Sequence, residues 1–259
     1  MLTTEQRTAA AERLRTAERD RVPIGPLVEH HPDMDAVDAY EVQLLNVRRR
    51  QPAEEVVGHK VGLSSAAMQQ MMGVDEPDYG HLLTGMRLHE GKPVPVADYC
   101  WPRVEVEVAF LLGRDLPGRD CTESDVLAAT AAVAPALELI DSRIADWRIS
   151  LPDTIADNAS SAGFVLGEQR VDPARLDLTA VEATLRSGDR VERGRSDAVL
   201  GNPVTAVAWL ARKVADFDVP LRAGHLVLPG SCTRAVDARA GDSFRAEFGG
   251  LGAVSLSFE

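Results

Sequence analysis

The 259-residue sequence predicts an α+β fold, on three observations. Short segments rich in Val, Leu and Phe with alternating polarity recur from residue 103 onward, which is the strand signature. Helical segments with recognisable caps are interspersed among them without strict alternation, so a doubly wound parallel sheet is not expected. Hydrophobic residues make up 45% of the chain; with turn signals spread along its length, that is enough for a substantial core and disfavours disorder.

Taken in order, residues 4–20 read as a helix, with Thr3 and Gln6 as a capping box and an Ala, Leu, Arg and Glu content that favours helix. A second helix is expected over 35–50, with Ala36, Tyr40, Leu44 and Val47 on one stripe. Arg48, Arg49 and Arg50 close it at the carbonyl end, where cations are favourable. These helices define an N-terminal helical region, residues 1–55, set against a main body of residues 56–259. Residues 56–63 read as a strand carrying Lys60, followed by a helix over 65–72 with Ser64 as N-cap and Gly73 as stop. Residues 75–79 read as a loop, and 104–112 as the first long strand. A helix capped by Thr122 is expected to reach about Val133 and to end at Pro135, with 136–141 extended again. Residues 153–161 read as a polar turn and 163–166 as a short strand. Asn202 and Pro203 open a helix to about Phe217. Strands are expected over 226–228, 243–248 and 253–258, the last two joined as a hairpin through Gly249-Gly250-Leu251-Gly252.

The formal net charge is -12. An acidic surface argues against nucleic acid and anionic membranes as partners. Three cysteines without a CxxC spacing disfavour a disulfide framework or zinc site and suggest a reducing compartment. Residues 1–6 turn charged at once, and no run of about 18 apolar residues occurs. The expectation is a soluble cytoplasmic protein.

The chemistry begins with Pro102-Arg-Val-Glu-Val-Glu-Val108. Glu is a poor strand residue, yet Glu105 and Glu107 sit two positions apart in a strand pattern, on one face and roughly 7 Å apart. They are either a solvated edge or a pair whose repulsion a divalent cation relieves. Glu138 stands alone among apolar neighbours in Ala136-Leu-Glu-Leu-Ile140. A buried carboxylate needs a partner, either a metal or an arginine such as Arg143. Three glutamates without Cys or a supporting His suit Mg²⁺ or Mn²⁺ better than Zn²⁺. Lys60 lies in Gly58-His-Lys-Val-Gly62; it could anchor a carboxylate, shuttle a proton, or snorkel to solvent. Asp78 lies between Pro77 and Gly80, where a turn former is the plain alternative. Asp157-Asn-Ala-Ser-Ser161 could hold a substrate carboxylate or simply turn the chain. No G-x-S-x-G elbow, P-loop or strand-GxGxxG-helix is present, which disfavours serine hydrolases, nucleotide hydrolases and dinucleotide dehydrogenases.

The ordered set Gly58-His-Lys-Val-Gly-Leu-Ser-Ser65, Gly73-Val-Asp-Glu-Pro-Asp-Tyr-Gly80, Pro102-Arg-Val-Glu-Val-Glu-Val108, Pro135-Ala-Leu-Glu-Leu139, Asp153-Thr-Ile-Ala-Asp-Asn-Ala-Ser160 and Leu200-Gly-Asn-Pro203 resembles the 2-hydroxypentadienoate (2-keto-4-pentenoate) hydratases of the fumarylacetoacetate hydrolase superfamily. The likeness runs over nearly the whole chain. It implies a mixed β-roll of the fumarylacetoacetate hydrolase C-terminal-domain type with an N-terminal helical layer, and homo-oligomers, pentamers or decamers, with a pathway aldolase as a candidate partner. It also implies Mg²⁺ or Mn²⁺ held by Glu105, Glu107 and Glu138, proton transfer and substrate binding at Lys60 and Asp78, and a pocket lined by Leu82, Asn158 and Ser160. The implied reaction is hydration of 2-hydroxypenta-2,4-dienoate or 2-hydroxyhexa-2,4-dienoate in aromatic or steroid catabolism. A 4-oxalocrotonate (2-oxo-3-hexenedioate) decarboxylase would use the same ligands, and a non-catalytic partner subunit is a third reading, disfavoured by the charged cluster.

Overall fold

The computed structural model describes the backbone of residues 1–259 and every side chain except those of Ala67 and Met71. Helix α1 (Thr4–Asp20) starts at the expected capping box, the Thr3 Oγ1 accepting from the Gln6 N–H and the Gln6 Oε1 from the Thr3 N–H. Helix α2 (Ala36–Arg50) is capped by Asp35. The two helices pack against each other, and Ala10, Ala11, Leu14, Ala39, Tyr40 and Val42 are all buried in the main core, the Tyr40 ring against Tyr79 and Phe217, so the N-terminal helical layer is joined to the body by ordinary apolar burial.

Strand β1 (Val56–Gly62) is followed by the short helix α3 (Ala66–Met72), whose N-cap is Ser65 rather than Ser64. The Ser64 side chain is instead buried against Gly230, where a Cβ would lie 1.9 Å from its hydroxyl. Strand β2 (Asp78–Leu83) begins inside the segment read as a loop. Pro77, Asp78 and Gly80 are turn formers by local preference, but pairing with β1, Gly62 opposite Asp78 through Gly58 opposite Leu82, overrides it.

Strand β3 (Arg103–Leu112) matches its expected extent. Helix α4 (Glu123–Ala129) is shorter than expected, and β4 (Thr130–Ile140) runs straight through Pro135. The proline is tolerated because of the side its nitrogen faces. Its carbonyl accepts from the Gly167 N–H, and in a strand the amide nitrogen points the same way as the carbonyl of its own residue. The missing donor therefore falls at the fraying end of the pairing with β5 (Ser161–Leu166), whose last partners are Ala136 and Leu166, and leaves the β3 ladder intact. Residues 153–156, read as a turn, belong to helix α5 (Leu151–Ala156), capped by Ser150 with Asp153 as its reciprocal partner. Strands β6 (Glu182–Ser187) and β7 (Arg190–Arg195) were not expected. They are a hairpin at the edge of the second sheet: β6 and the residue before it bury only the small alternating set Val181, Ala183 and Leu185, and β7, Arg-Val-Glu-Arg-Gly-Arg, is too polar to show an apolar alternation. Helix α6 (Pro203–Ala215), β8 (Leu226–Leu228), the two-residue β9 (Val236–Asp237), β10 (Ser243–Phe248) and β11 (Gly252–Ser257) complete the chain.

The seven-stranded sheet has the order β2-β1-β8-β3-β4-β5, with β9 pairing β3, and the four-stranded sheet the order β11-β10-β6-β7. Only β1 and β8 run parallel, which makes the large sheet mixed. Val104, Val106, Val108 and Phe110 of β3 enter the main core with Phe244, Phe248 and Val254 of the small sheet. The opposite face of the large sheet carries a second cluster that includes Leu82, Ala109, Ala134, Ala136, Phe164 and Leu228. By alternation along each strand, Glu105, Glu107 and Glu138 belong to that same second face.

Candidate active site

Strand register brings the charged residues together. Glu105 on β3 stands opposite Glu138 on β4, where directly opposed Cβ atoms lie about 5 Å apart. Glu107 is two residues further along β3. One carboxylate oxygen from each of the three lies within 4.8 Å of the others. Glu107 and Glu138 are wholly buried, and Glu105 is partly covered. Lys60 reaches the group from β1, its Nζ 3.6 Å from the Glu138 Oε2 and donating to the Ala159 carbonyl at 3.0 Å. The arginine weighed as a partner for Glu138 does not serve it: Arg143 pairs with Asp157 at 2.6 Å. Lys60 is buried and does not snorkel.

Asp78 is the first residue of β2, and its Oδ2 accepts from the Thr154 hydroxyl at 2.7 Å. Gly62 opposite makes room for it: a Cβ there would lie 2.2 Å from the Asp78 Oδ1 and 2.7 Å from the Lys60 Nζ. Thr154, Ser161, whose hydroxyl donates to the Glu138 Oε1 at 2.8 Å, and the Gly230 N–H, which donates to the Glu107 Oε2 at 2.8 Å, are supports not identified from sequence. Ser161 belongs to the polar run already singled out. A backbone N–H leaves no trace in residue type.

The three expected pocket residues fall differently. Ser160 is buried, its hydroxyl without a hydrogen-bond partner among the described residues. Asn158 spends its side chain on β2, accepting from the His81 N–H at 2.8 Å and donating to the His81 carbonyl at 2.9 Å. Its own carbonyl overlies Gly80, where a Cβ would stand 2.4 Å away. Leu82 is on the same sheet face but wholly buried in the second apolar cluster, two residues beyond Gly80.

Four carboxylates face one ammonium here, an arrangement unfavourable to itself and to any anionic ligand. Burial raises the Glu105 pKa to about 7. Burial, then the charges of Glu138 and Glu105, hold Glu107 well above the ordinary carboxylate value; burial likewise raises Glu138, against the pull of Lys60. For Lys60, burial acts to lower the pKa, but Glu138 and Asp78 outweigh it and the net shift is upward, so the group stays an ammonium. The Glu107 Oε1 and Glu138 Oε2 are buried without hydrogen-bond partners among the described residues. Orphaned, closely spaced carboxylate oxygens fit a hard divalent cation, which would satisfy the lone pairs and relieve the repulsion.

This has a consequence with a definite sign. A carboxylate whose folded pKa is raised binds protons more tightly folded than unfolded. Metal-free stability is therefore present at low pH and falls as pH rises from 4.5, the ordinary value, through about 7. A dication requires the deprotonated carboxylates, so its stabilisation grows over the same window. The increment in Tm on adding Mg²⁺, followed by differential scanning fluorimetry, should be larger at pH 8 than at pH 5.5. An increment independent of pH would exclude these groups as ligands.

Residues 59–258 match the model of the fumarylacetoacetate (FAA) hydrolase C-terminal family. The chain is 44% identical to a 2-keto-4-pentenoate hydratase of Paraburkholderia xenovorans (strain LB400), over 100% of this chain and 97% of that one. It is 43% identical to a 2-hydroxyhexa-2,4-dienoate hydratase of Comamonas testosteroni, over 95% of each. Among solved structures, 4-oxalocrotonate decarboxylase from Pseudomonas putida G7, complexed with magnesium and adipate, superposes with a TM-score of 0.95 at 35% identity, covering 100% of this chain and 99% of that one.

Proposed function

The chain belongs to the fumarylacetoacetate hydrolase family, and we propose that it is a divalent-metal-dependent hydro-lyase that adds water to 2-hydroxypenta-2,4-dienoate or 2-hydroxyhexa-2,4-dienoate, yielding the 4-hydroxy-2-oxo acid. The observation that carries this reading is the convergence of Glu105, Glu107 and Glu138 beside a buried ammonium. It is supported by full-length relatives at 41–44% identity that carry hydratase names.

The three glutamates would hold the cation, magnesium or manganese, which supplies a Lewis acid for negative charge developing at the substrate's C2 oxygen. The rest is work for side chains. Lys60, held as an ammonium, can anchor the substrate carboxylate and offer a proton. The Thr154 hydroxyl fixes one Asp78 oxygen, and the other is buried without a hydrogen-bond partner among the described residues, free to accept a proton. The pair is therefore our assignment for the transfers that ketonise the dienol by protonation at C5, deliver water to C4 and protonate C3. Ser160, with its unspent hydroxyl, is assigned to the substrate; Asn158 holds the backbone beside it, and Leu82 contributes apolar wall.

Such dienoates arise from ring cleavage in aromatic catabolism, and the steroid-derived hexadienoate is the homologous case. We extend the reading to a cytoplasmic homo-oligomer, a pentamer or decamer, able to associate with a pathway aldolase; no helix among the described residues is long and apolar enough to cross a membrane. The test is an assay of purified protein with Mg²⁺ on the pentadienoate, the hexadienoate and 4-oxalocrotonate. Water addition to the first two, abolished by a chelator and restored by Mg²⁺ or Mn²⁺, is the expected result. CO₂ release from 4-oxalocrotonate without hydration of either dienoate would make the protein a decarboxylase.

A further inference from the structure

Asn158, Ala159 and Ser160 have φ values of 56°, 49° and 56°. Three successive non-glycine residues in the left-handed region do not hold that conformation by local preference, and Ala and Ser rarely enter it at all. Such a turn persists only where its surroundings over-determine it. On the β2 side it is held by the Asn158 amide on His81 and by the absence of a side chain at Gly80. On the β4 side lies a buried ion pair that the proposed chemistry does not use. Arg143 and Asp157 are 5% and 3% exposed. The Arg143 Nε donates to the Asp157 Oδ1 at 2.6 Å and its backbone N–H to the Oδ2 at 2.9 Å. The rest of the guanidinium donates to the carbonyls of Asp141, Ser161 and Asp157, and the Asp141 N–H donates to the Ser160 carbonyl at 2.7 Å. One planar fork thus gathers the chain before the turn, the chain after it and the end of β4.

The turn and the residue after it meet the active site at two hydrogen bonds, with the Ser160 hydroxyl between them. The Ala159 carbonyl accepts from Lys60, the Ser160 hydroxyl is buried and unspent, and the next hydroxyl, that of Ser161, holds Glu138. We propose that Arg143 and Asp157 are positioning residues: their ion pair locks Asn158–Ala159–Ser160 in the left-handed turn that sets the Ala159 carbonyl against Lys60 and aims the Ser160 hydroxyl at the substrate. The proposal rests on the hydratase reading for its kinetic part and on the turn alone for its structural part.

The test compares the wild type with Arg143→Lys, Ser160→Ala and the double variant. Lysine keeps the charge facing Asp157 but loses the fork, so the chain should still fold; its circular dichroism and Tm establish that. Arg143→Lys should lower kcat on the preferred dienoate about 10- to 100-fold, with Mn²⁺ affinity by electron paramagnetic resonance within about threefold of wild type. Ser160→Ala should cost little more in the Arg143→Lys background, because the hydroxyl is already misplaced there. Hydrogen exchange of the amides of residues 158–161 should accelerate at least about tenfold while strand amides elsewhere in the large sheet keep their rates. Wild-type kcat in a folded Arg143→Lys protein, independent multiplicative effects in the double variant, or unchanged exchange at 158–161 would each overturn the proposal. A wild type that hydrates no dienoate would sink the hydratase reading instead, and the exchange experiment would still decide the structural part.

Discussion

Replacing Glu107 by glutamine should lower kcat about 10³-fold and, in the same variant, make the metal-free protein more stable at pH 8. The two effects have one cause. Glu107 is wholly buried, one of its oxygens accepts from the Gly230 N–H, and the other has no hydrogen-bond partner among the described residues. Burial and the neighbouring carboxylates hold its pKa well above the ordinary value. Without metal, the folded protein keeps a proton that the unfolded chain gives up, so stability is lost as pH rises above 4.5, by up to about 1.4 kcal/mol per pH unit while the folded group remains protonated. An amide does not titrate, and its oxygen can still accept from Gly230. The variant should match wild type near pH 5, exceed it increasingly toward pH 8, and show no further gain in Tm with Mg²⁺. Thermal melts at both pH values, with and without Mg²⁺, check all three expectations. Destabilisation of the metal-free variant at pH 8 would mean that the carboxylate has a structural partner and is not held in reserve for a cation.

The Lys60→Met variant should separate acid–base work from cation binding. Lys60 is the single ammonium facing four carboxylates and lies 3.6 Å from the Glu138 Oε2. Removing one partner of a buried pair destabilises by about 3–5 kcal/mol because the other charge is left uncompensated, so the metal-free variant should melt well below wild type. Removing a positive charge also removes its repulsion of a dication. Mn²⁺ should therefore bind at least as tightly as to wild type and should recover much of the lost stability, while kcat falls about 10²- to 10⁴-fold. Arginine should not substitute, because its larger planar head does not fit where even a Cβ on Gly62 would stand 2.7 Å from the Nζ. Mn²⁺ titration by electron paramagnetic resonance beside steady-state kinetics checks this pair of outcomes. Loss of Mn²⁺ binding in the variant would place Lys60 in the architecture of the cation site and leave its proton role unsupported.

Much of the fold was legible where local chemistry and tertiary structure agree. The Thr3–Gln6 box, the Asn202-Pro203 helix start, the long alternating β3 and the glycine-rich connection of β10 to β11 all appear at or within a residue or two of the expected places. The failures fall where pairing overrides preference. Turn formers at 77–80 become the start of β2 because β1 supplies a ladder. Pro135 lies inside β4 because its nitrogen faces the fraying end of the β5 pairing. The polar stretch 153–156 is a helix because Ser150 and Asp153 satisfy its first turn, and Asp153 also accepts from the Leu27 N–H.

The site divides on the same line. Three glutamates were visible because a carboxylate in an apolar strand is anomalous on its face. Which cation partners serve them was not, because Lys60 and Glu138 are 78 positions apart in sequence and meet only through the strand order β1-β8-β3-β4. Thr154, Ser161 and the Gly230 N–H act through single hydrogen bonds from common groups, which no spacing rule marks.

The most direct test of the central claim is crystallographic. In crystals grown with Mn²⁺, anomalous difference maps at the manganese edge should show a strong peak at ligand distance from one carboxylate oxygen each of Glu105, Glu107 and Glu138. A peak elsewhere, or none at these three side chains in crystals of catalytically active protein, would contradict the account.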